Sequence, residues 1–483
     1  MTLIKSSESQ TPQFRVLSEA QCQELYLATL ECLSQIGVLV LQGEARDLLA
    51  SAGARIDGKR AYIPAHIIQE ALHRTPPTFS LWGRASQYEL RISPEHVYFG
   101  PGPSCTYFVD PQTGERRKAR RGDAGLTARV CDALPNIDYA MGLSLADDVR
   151  PMLCPVYEFS EMIANTGKPL VAWANDLDTL QDIYKIAAAV AGGEEALRRR
   201  PIFAYFATYE SPLRHDEKKL ANVIWAARQG VPIVYLGGPT VGLESPVTGA
   251  SGLVIFLAAA LSGLAIIQLA RPGAPVIVGS VPAAMDLRTA RPAYGSPEMS
   301  LYMAAAVDLT RSLGLPFMGT AGASESKSLD SQAALEAAIQ ILMSGLCRAG
   351  LVHDVGFLDC ADIGSLELLV LSDEIIGLVK RILRGVEVSP ESIMLDLIEK
   401  VGPGGHFIAE PESVSRCRSE IWVPRLLDRD AFVIWEQNGG QSAEQRVRNK
   451  LRRILETHQP PPLPDGAEAA IQSILQEAEA RYR

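Results

Sequence analysis

The feature that most constrains the fold of this chain is a regular alternation of short apolar segments with longer amphipathic segments from about residue 97 onward. Each short segment is rich in β-branched and aromatic residues and is bounded by Gly, Pro, Ser or Asn, which is typical of a buried strand. The predicted strands are Val97–Gly100, Tyr139–Ala146, Pro169–Ala174, Ile202–Tyr209, Ile233–Gly237, Val276–Val281, Phe317–Ala321 and Leu351–Phe357.

The segments between these strands have apolar residues with a period near 3.6, which predicts helices. They are Gly122–Leu134, Pro155–Ala164, Asp178–Ala191, Asp216–Gln229, Gly249–Ala270, Pro297–Ser312, Asp330–Ala349 and Leu366–Leu383. Eight strand–helix units in a row predict an α/β protein with a (β/α)₈ TIM barrel. A doubly wound sheet is the alternative, but its glycine-rich first turn is missing.

The rest of the chain predicts two extensions of the barrel, which itself spans residues 96–388. Residues 1–95 predict a helix-rich N-terminal cap with short strands near Lys59–Tyr62 and Phe79–Trp82. Residues 389–483 predict a helical C-terminal extension that contains the stiff run Gln-Pro-Pro-Pro-Leu-Pro from Gln459. Neither extension carries a chemical motif, so we expect them to cover the barrel or to hold a homo-oligomer together.

The helix predicted at Gly249–Ala270 is uncharged and long enough to cross a membrane. It stands alone, however, and it is rich in Ala, Gly and Ser between two predicted strands, which favours a covered helix of a large α/β protein. The first residues lack the apolar segment of a signal peptide, and the eight cysteines contain no CxxC pair. We therefore expect a cytoplasmic protein with reduced thiols and no membrane partner.

Charge and motifs exclude several classes of function. There are 46 Lys and Arg residues against 56 Asp and Glu residues, a net charge of −10, whereas nucleic-acid binding needs clustered cations. The glycine-rich phosphate motifs of dinucleotide and ATP sites are missing, and so are the HExxH and HxxH patterns of zinc sites. The sequence thus predicts no metal bound by this chain.

The active site of a (β/α)₈ barrel lies where the strands end, and the segments at those ends are aromatic and rich in glycine. Rings around a small cavity suit a quaternary ammonium ion, because such an ion cannot donate hydrogen bonds and needs ring faces and a nearby carboxylate instead. Ordinary packing is the alternative for any single ring. The predicted ring set is Tyr107, Trp173, Tyr205, Tyr209, Tyr235 and Phe357, with Glu210 or Glu325 as the countercharge.

Two further sets of residues complete the predicted site. His353 ends the last strand and is either a polar contact for substrate or a hydrogen-bonded core histidine. Glycines leave the strand ends bare, so that a planar cofactor or a partner's surface can approach closely. The glycines predicted for this role are Gly102, Gly237, Gly238 and Gly322.

Longer runs of the sequence resemble one known family. The runs NTGKPL, ESPLRH, GVPIVYLGGPTVGLESPVTGASG, ESKSLDSQAALEAAIQILMSG and VGPGGHFI, among others, are similar to the trimethylamine methyltransferase family over nearly the whole chain. The resemblance implies a (β/α)₈ barrel that passes a methyl group from a methylated amine to the cobalt of a separate corrinoid protein. It also implies that the cobalamin cofactor is carried by that partner.

One branch of this family uses pyrrolysine for trimethylamine, and the other demethylates quaternary amines such as glycine betaine. Because only the twenty standard residues occur here, the chain resembles the second branch. The implied substrate is glycine betaine, proline betaine or a carnitine-like compound, with His353 and Glu325 as the candidate catalytic residues. The implied partner would dock on the loops Gly100–Ser104, Gly237–Ser245 and Gly319–Ser328.

Two other functions remain open from the residues alone. The barrel could bind betaines without turning them over. A zinc-dependent methyltransferase or hydrolase would need Cys105, His353 and Cys360 to converge on one metal ion.

Overall fold

A parallel β-barrel forms the centre of the molecule in the computed structural model, which describes residues 12–482. Seven strands are hydrogen-bonded in one sheet. Their order around the barrel is Val97–Phe99, Gly350–His353, Phe317–Thr320, Val276–Ser280, Ile233–Gly237, Phe203–Thr208 and Leu170–Ala172. In chain order the last strand pairs with the first, since Val352 is in register with Phe99.

Residues 138–141 take the place of the remaining strand and close the barrel. The amide of Asp138 donates to the carbonyl of Phe99 at 2.7 Å, and the amide of Ala140 donates to the carbonyl of Pro169 at 3.0 Å. Ala140 also bridges to Leu170 in parallel orientation. The predicted (β/α)₈ barrel is therefore confirmed, although its second strand is shorter and less regular than the sequence predicts.

A long helix follows each barrel strand. The eight barrel helices are Arg121–Ala133, Cys154–Asn165, Leu177–Ala191, Glu217–Gln229, Gly249–Ala270, Pro297–Ser312, Ser331–Cys347 and Leu366–Leu383. Side-chain caps begin several of them: an oxygen of Asp176 accepts from the amide of Thr179, and Asp330 does the same for Ala333. These bounds confirm the predicted helices to within a few residues.

The apolar helix Gly249–Ala270 is long enough to cross a membrane, but most of its surface is buried in the protein. It lies between the barrel strands and three helices of the N-terminal cap, Glu19–Glu31, Gly43–Ser51 and Ala65–Arg74. Being covered on both sides explains why it carries no polar face.

The rest of the N-terminal cap consists of short strands. Val38–Val40, Arg55–Asp57 and Arg60–Tyr62 form a small sheet to which Arg214–His215 adds a parallel strand. The hairpin of Phe79–Trp82 and Glu89–Ile92 closes the N-terminal end of the barrel, where its leucines join the interior side chains of the strands in one apolar cluster. Within residues 12–482 the N-terminal end of the barrel is thus covered, and we expect a ligand site at the C-terminal end.

The C-terminal extension returns along the outside of the barrel. The short helices Pro390–Ile393, Leu395–Val401, Pro411–Glu420 and Phe432–Gln437 precede two longer ones. Ala443–Thr457 packs on the first and eighth barrel helices, and Ala467–Arg481 packs on the second and third. The proline run between them is held by Arg84, whose guanidinium donates to the carbonyls of Pro461 and Pro462.

Small β-structures surround the C-terminal end of the barrel. One sheet combines Tyr107–Val109, Arg116–Lys118, Phe357–Leu358 and Ile363–Gly364, and a separate hairpin combines Ala284–Asp286 with Arg291–Ala293. The remaining short helices are Cys32–Ile36, Pro151–Leu153 and Glu194–Arg199.

Candidate active site at the C-terminal end of the barrel

The alternation of side chains along the strands decides which residues reach the barrel interior. Phe206, Val234, Leu236 and Leu351 belong to the interior cluster, whereas their neighbours Tyr205 and Tyr235 belong to the layer between strands and helices. Side chains two residues apart on a strand share a face, so His353 lies on the same interior face as Leu351.

Three of the predicted ring residues lie outside the barrel interior. The hydroxyl of Tyr205 accepts a hydrogen bond from Asn222 at 3.1 Å, and that of Tyr235 lies 2.6 Å from Nδ1 of His215. The hydroxyl of Tyr209 donates to the carbonyl of Gly279 at 3.4 Å. These tyrosines belong to the cluster outside the barrel interior, so the structure does not bring them to the interior as the sequence predicts.

Two other predicted rings are covered by the chain itself. The guanidinium carbon of Arg116 lies 3.2 Å from the ring centre of Tyr107, and the ammonium of Lys118 lies 4.6 Å from it. Phe357 is 1% exposed. Of the six predicted rings, only Trp173 packs against the interior cluster while staying partly exposed.

Trp173 has an aromatic neighbour that was not among the predicted rings. Ala172 is in register with Tyr205, so one residue further along the two strands Trp173 lies beside Phe206. The Phe206 ring is 6.0 Å from the imidazole of His353, in an edge-on arrangement. The phenyl and imidazole rings thus meet at the C-terminal end of the interior, and the indole follows the neighbouring strand and packs against the same cluster.

His353 is held by a short chain of hydrogen bonds. Its Nδ1 lies 2.5 Å from Oδ1 of Asp354, and the hydroxyl of Thr320 donates to Oδ2 of the same carboxylate at 2.6 Å. Asp354 has φ of +74°, a conformation that costs energy for any residue with a side chain. Nε2 of His353 is buried without a hydrogen-bond partner, and a buried polar atom of this kind calls for an explanation.

A buried carboxylic acid supports the indole ring. Nε1 of Trp173 donates to Oε2 of Glu158 at 3.1 Å, and Glu158 is 5% exposed on the second barrel helix. Burial raises the pKa of Glu158 to about 8, although hydrogen bonds from Trp173 and the Gly142 backbone act in the opposite direction. The signal in the sequence was a single acid within the apolar run CPVYEFS.

The two predicted countercharges are engaged at the rim instead. Oε2 of Glu210 lies 3.0 Å from Nε of Arg214. Oε1 of Glu325 accepts hydrogen bonds from the amides of Tyr294 and Gly295 at 2.6 and 3.3 Å. Both carboxylates therefore fasten loops, and Glu158 is the acid that contacts an interior ring.

The four predicted glycines each pack closely against other parts of the chain. A Cβ on Gly102 would lie 2.2 Å from Oδ1 of Asp354, and one on Gly237 would lie 2.3 Å from the ring of Tyr209. Gly238 approaches the backbone of Val281, and Gly322 approaches Val355 with φ of +78°. At each of these glycines the position of a Cβ is taken by the protein's own atoms, so packing within the chain explains why glycine stands there.

The residues required for a zinc site do not converge. Burial holds the pKa of the Cys105 thiol well above its usual range, with the negative charge of Asp354 adding to the effect. The thiol of Cys360 donates to the carbonyl of Pro292 at 2.9 Å. Within residues 12–482, no three His, Cys, Asp or Glu side chains are placed to hold a metal ion together, so the geometry gives the zinc hypothesis no support.

Residues 1–481 match the family model described as trimethylamine methyltransferase. The chain belongs to this family. It is 30% identical over 470 residues to a trimethylamine methyltransferase of Desulfitobacterium hafniense, and the alignment covers 96% of this chain and 94% of the relative. It is 31% identical over 476 residues to a trimethylamine methyltransferase of Methanosarcina mazei, covering 96% and 95% of the two chains.

Two further comparisons bear on this methyltransferase. A glycine betaine methyltransferase of Desulfitobacterium hafniense is 27% identical over 466 residues, covering 96% of this chain and 97% of the relative. The crystal structure of the Methanosarcina barkeri monomethylamine methyltransferase superposes with a TM-score of 0.52 at 11% identity, covering 92% and 88% of the two chains. The family and the methyltransferase class inferred from the sequence are confirmed.

Proposed function

We propose that this methyltransferase moves a methyl group from a small quaternary amine that carries a carboxylate to the Co(I) of a separate corrinoid protein. The observation that carries the proposal is the unpartnered Nε2 of His353, buried beside an interior phenyl ring at the C-terminal end of the barrel. The relative named glycine betaine methyltransferase, similar over its whole length, supports the same substrate class.

The cationic end of such a substrate fits the aromatic side of the site. The ring faces of Trp173 and Phe206 attract a quaternary ammonium ion and also shield it from water. Each ring contributes about 0.5–2 kcal/mol to binding, depending on desolvation. Glu158 lies behind the indole, and a bound cation would favour the ionised form of its carboxyl group.

The anionic end of the substrate fits His353. Because Nδ1 is held by Asp354, only Nε2 is free to contact a ligand. Nε2 would contact the carboxylate of the substrate, while Asp354 orients the imidazole and Thr320 fixes Asp354. Two anchored ends would hold the methylammonium group in one orientation.

The chemistry requires positioning rather than acid catalysis. The bond from the methyl carbon to nitrogen breaks, the electron pair stays on nitrogen, and a neutral tertiary amine leaves without needing a proton. The docked corrinoid supplies the cobalt nucleophile that takes the methyl group. What the chain contributes is alignment of the methyl carbon with the open end of the barrel and exclusion of water.

The corrinoid belongs to a partner protein in this proposal, as the resemblance to the family implies. The rim of the barrel offers a docking surface. Leu243, Val247 and Leu287 are 67%, 76% and 81% exposed on the loops that follow the fifth and sixth barrel strands. The partner must leave after each turnover, so we expect a small, transient interface.

The protein would carry out this reaction in the cytoplasm. All eight cysteines are unpaired, which agrees with a reducing compartment.

The test is to mix the protein with a reduced corrinoid protein and a panel of glycine betaine, proline betaine, carnitine, choline and trimethylamine. We expect the absorbance of the methylated corrinoid, and a singly demethylated amine by mass spectrometry, with one or more of the carboxylate-bearing quaternary amines. Binding of a betaine by calorimetry without any methyl transfer would instead support the binding-only function. Turnover of trimethylamine alone would contradict the proposed substrate class.

A further inference from the structure

The segment of residues 386–434, which we call the C-terminal arm, carries fourteen of the twenty-four exposed large apolar side chains in residues 12–482. Its four short helices contain no buried residue. Val386 and Ile408 are 87% and 83% exposed. The exposed large apolar residues of the arm are Val386, Val388, Ile393, Leu395, Ile398, Phe407, Ile408, Val414, Ile421, Val423, Leu427, Phe432, Val433 and Ile434.

The arm is fixed to the N-terminal end of the barrel, away from the candidate active site. The eighth barrel helix begins near the site and ends at Leu383, where the arm starts. Arg381 and Arg384 near that end donate to the carbonyls of Glu420 and Ser419, respectively. An oxygen of Glu374 accepts from the amides of residues 425–427. These contacts make the arm a defined surface rather than a loose tail.

The first half of the arm and a cleft beside the arm carry opposite charge. Residues 386–412 contain six carboxylates and a single lysine, Lys400. The cleft between the arm, the first barrel helix and the helix Ala443–Thr457 is basic, with a volume of about 730 Å³. Its cations are Arg425, Arg446, Lys450 and Arg453.

Only part of this positive charge is balanced within the chain. Lys450 lies 3.1 Å from Asp373, and Arg446 lies 3.6 Å from Asp428. In the part of the chain that the structure describes, no ion pair involves the side chains of Arg425 or Arg453. The cleft thus keeps an excess of positive charge in a protein whose net charge is −10.

We propose that the C-terminal arm joins two copies of this chain, with the acidic apolar half of each arm lying over the basic cleft of the other copy. One chain carries both complementary surfaces, so a two-fold axis makes the same contact twice. A second copy covers the apolar residues permanently, whereas a partner that leaves after each turnover would expose them again. This arrangement also leaves the open end of the barrel free.

The experiment uses sedimentation velocity on the full-length protein at micromolar concentration. One variant reverses charge on the arm, Glu391→Arg with Glu399→Arg, and another reverses charge in the cleft, Arg425→Glu with Arg453→Glu. We expect each variant to halve the mass of the wild-type assembly, and the variant with all four substitutions to restore it. Leu287→Asp is the control. It adds a charge at a position 81% exposed on the barrel rim, far from the arm, and should leave the mass unchanged.

A second measurement separates loss of assembly from loss of folding. Val388→Ser with Ile408→Ser, which removes apolar contact without adding charge, should also halve the mass, while the circular dichroism spectrum stays that of the wild type. The proposal is overturned if the wild type sediments as a monomer, if the arm variants keep the wild-type mass, or if the four-substitution variant fails to reassemble. Methyl transfer does not enter the readout, so the result is independent of the proposed reaction.

Discussion

Nδ1 of His353 lies 2.5 Å from Oδ1 of Asp354, at the point where the eighth barrel strand ends. Neighbouring residues of an extended strand point to opposite faces, so this contact requires the chain to turn. It does so at Asp354, whose φ is +74°. The turn fixes the imidazole and leaves Nε2 as its one available atom. In the proposed function, this atom contacts the anionic group of the substrate.

Substituting His353 by Gln should weaken binding of substrates that carry a carboxylate. A hydrogen bond to a charged group is worth about 1.5–3 kcal/mol, which corresponds to roughly a 10- to 150-fold rise in Kd for glycine betaine. Tetramethylammonium has no carboxylate, and its Kd should change little. Calorimetry with both ligands checks this, and equal losses would mean that His353 is a structural residue.

Leu substitutions at Trp173 and Phe206 should each weaken binding of a quaternary ammonium ligand about 2- to 30-fold, because a ring face is lost. A neutral isostere with a tert-butyl group should lose much less affinity. Tyr205→Phe is the control, since Tyr205 is a buried ring on the outer face of the strand that carries Phe206. If this control weakens cation binding as much, the assignment of the interior rings fails.

Glu158→Gln should change how the stability of the protein depends on pH. Burial raises the pKa of Glu158 to about 8, so the folded state binds its proton more tightly than the unfolded state does. The resulting stabilisation is complete below the unfolded pKa near 4.5 and is lost as pH rises through about 8. Gln stays neutral at every pH. At pH 9 the free energy of unfolding of the variant should therefore exceed that of the wild type by roughly a few kcal/mol. Thermal unfolding of both proteins between pH 5 and pH 9 checks this expectation.

The raised pKa of Glu158 also predicts a pH effect on ligand binding. A quaternary ammonium ion near Trp173 should release the proton of Glu158, so the Kd should fall as pH rises from 7 to 9. Calorimetry in buffers of different ionisation enthalpy counts the released protons. The Glu158→Gln variant should bind with no such dependence, and a dependence that survives the substitution would point to another group.

Gly102→Ala should lower methyl transfer without unfolding the protein. The new Cβ would lie 2.2 Å from Oδ1 of Asp354 and 2.6 Å from the ring of Phe357, so Asp354 must shift and His353 with it. Gly122→Ala is the matched control, because a Cβ added there would meet nothing within 4 Å and the φ of Gly122 is not positive. Turnover and melting temperature distinguish the two, and full activity of Gly102→Ala would contradict the proposed role of the Asp354 carboxylate.

Leu287→Glu should slow methyl transfer to the corrinoid protein while leaving the Kd of the amine unchanged. Leu287 is 81% exposed on the rim hairpin, so the substitution removes apolar docking surface and adds a charge. Leu27→Glu, 54% exposed on the N-terminal cap, is the control. A larger loss of transfer in the control would place the docking surface at the other end of the barrel.

The amino-acid sequence by itself determined the barrel. Strand and helix signals are local, and the caps at Ser296 and Asp330 lie where the sequence predicts helices to begin. Eight such units in succession leave few other ways to bury the strands. The resemblance to the family was also a property of the sequence, because it rests on long runs of residues in order.

Only the tertiary structure decided which side chains form the site. Both faces of a barrel strand are buried, so the apolar pattern does not show which face is the interior. A shift of one residue separates Tyr205 from Phe206, and the ring predicted from the sequence was the outer one. Glu158 and Trp173 come together from a helix and a strand end that are 15 residues apart. Such contacts depend on how the elements pack, which no local pattern in the sequence encodes.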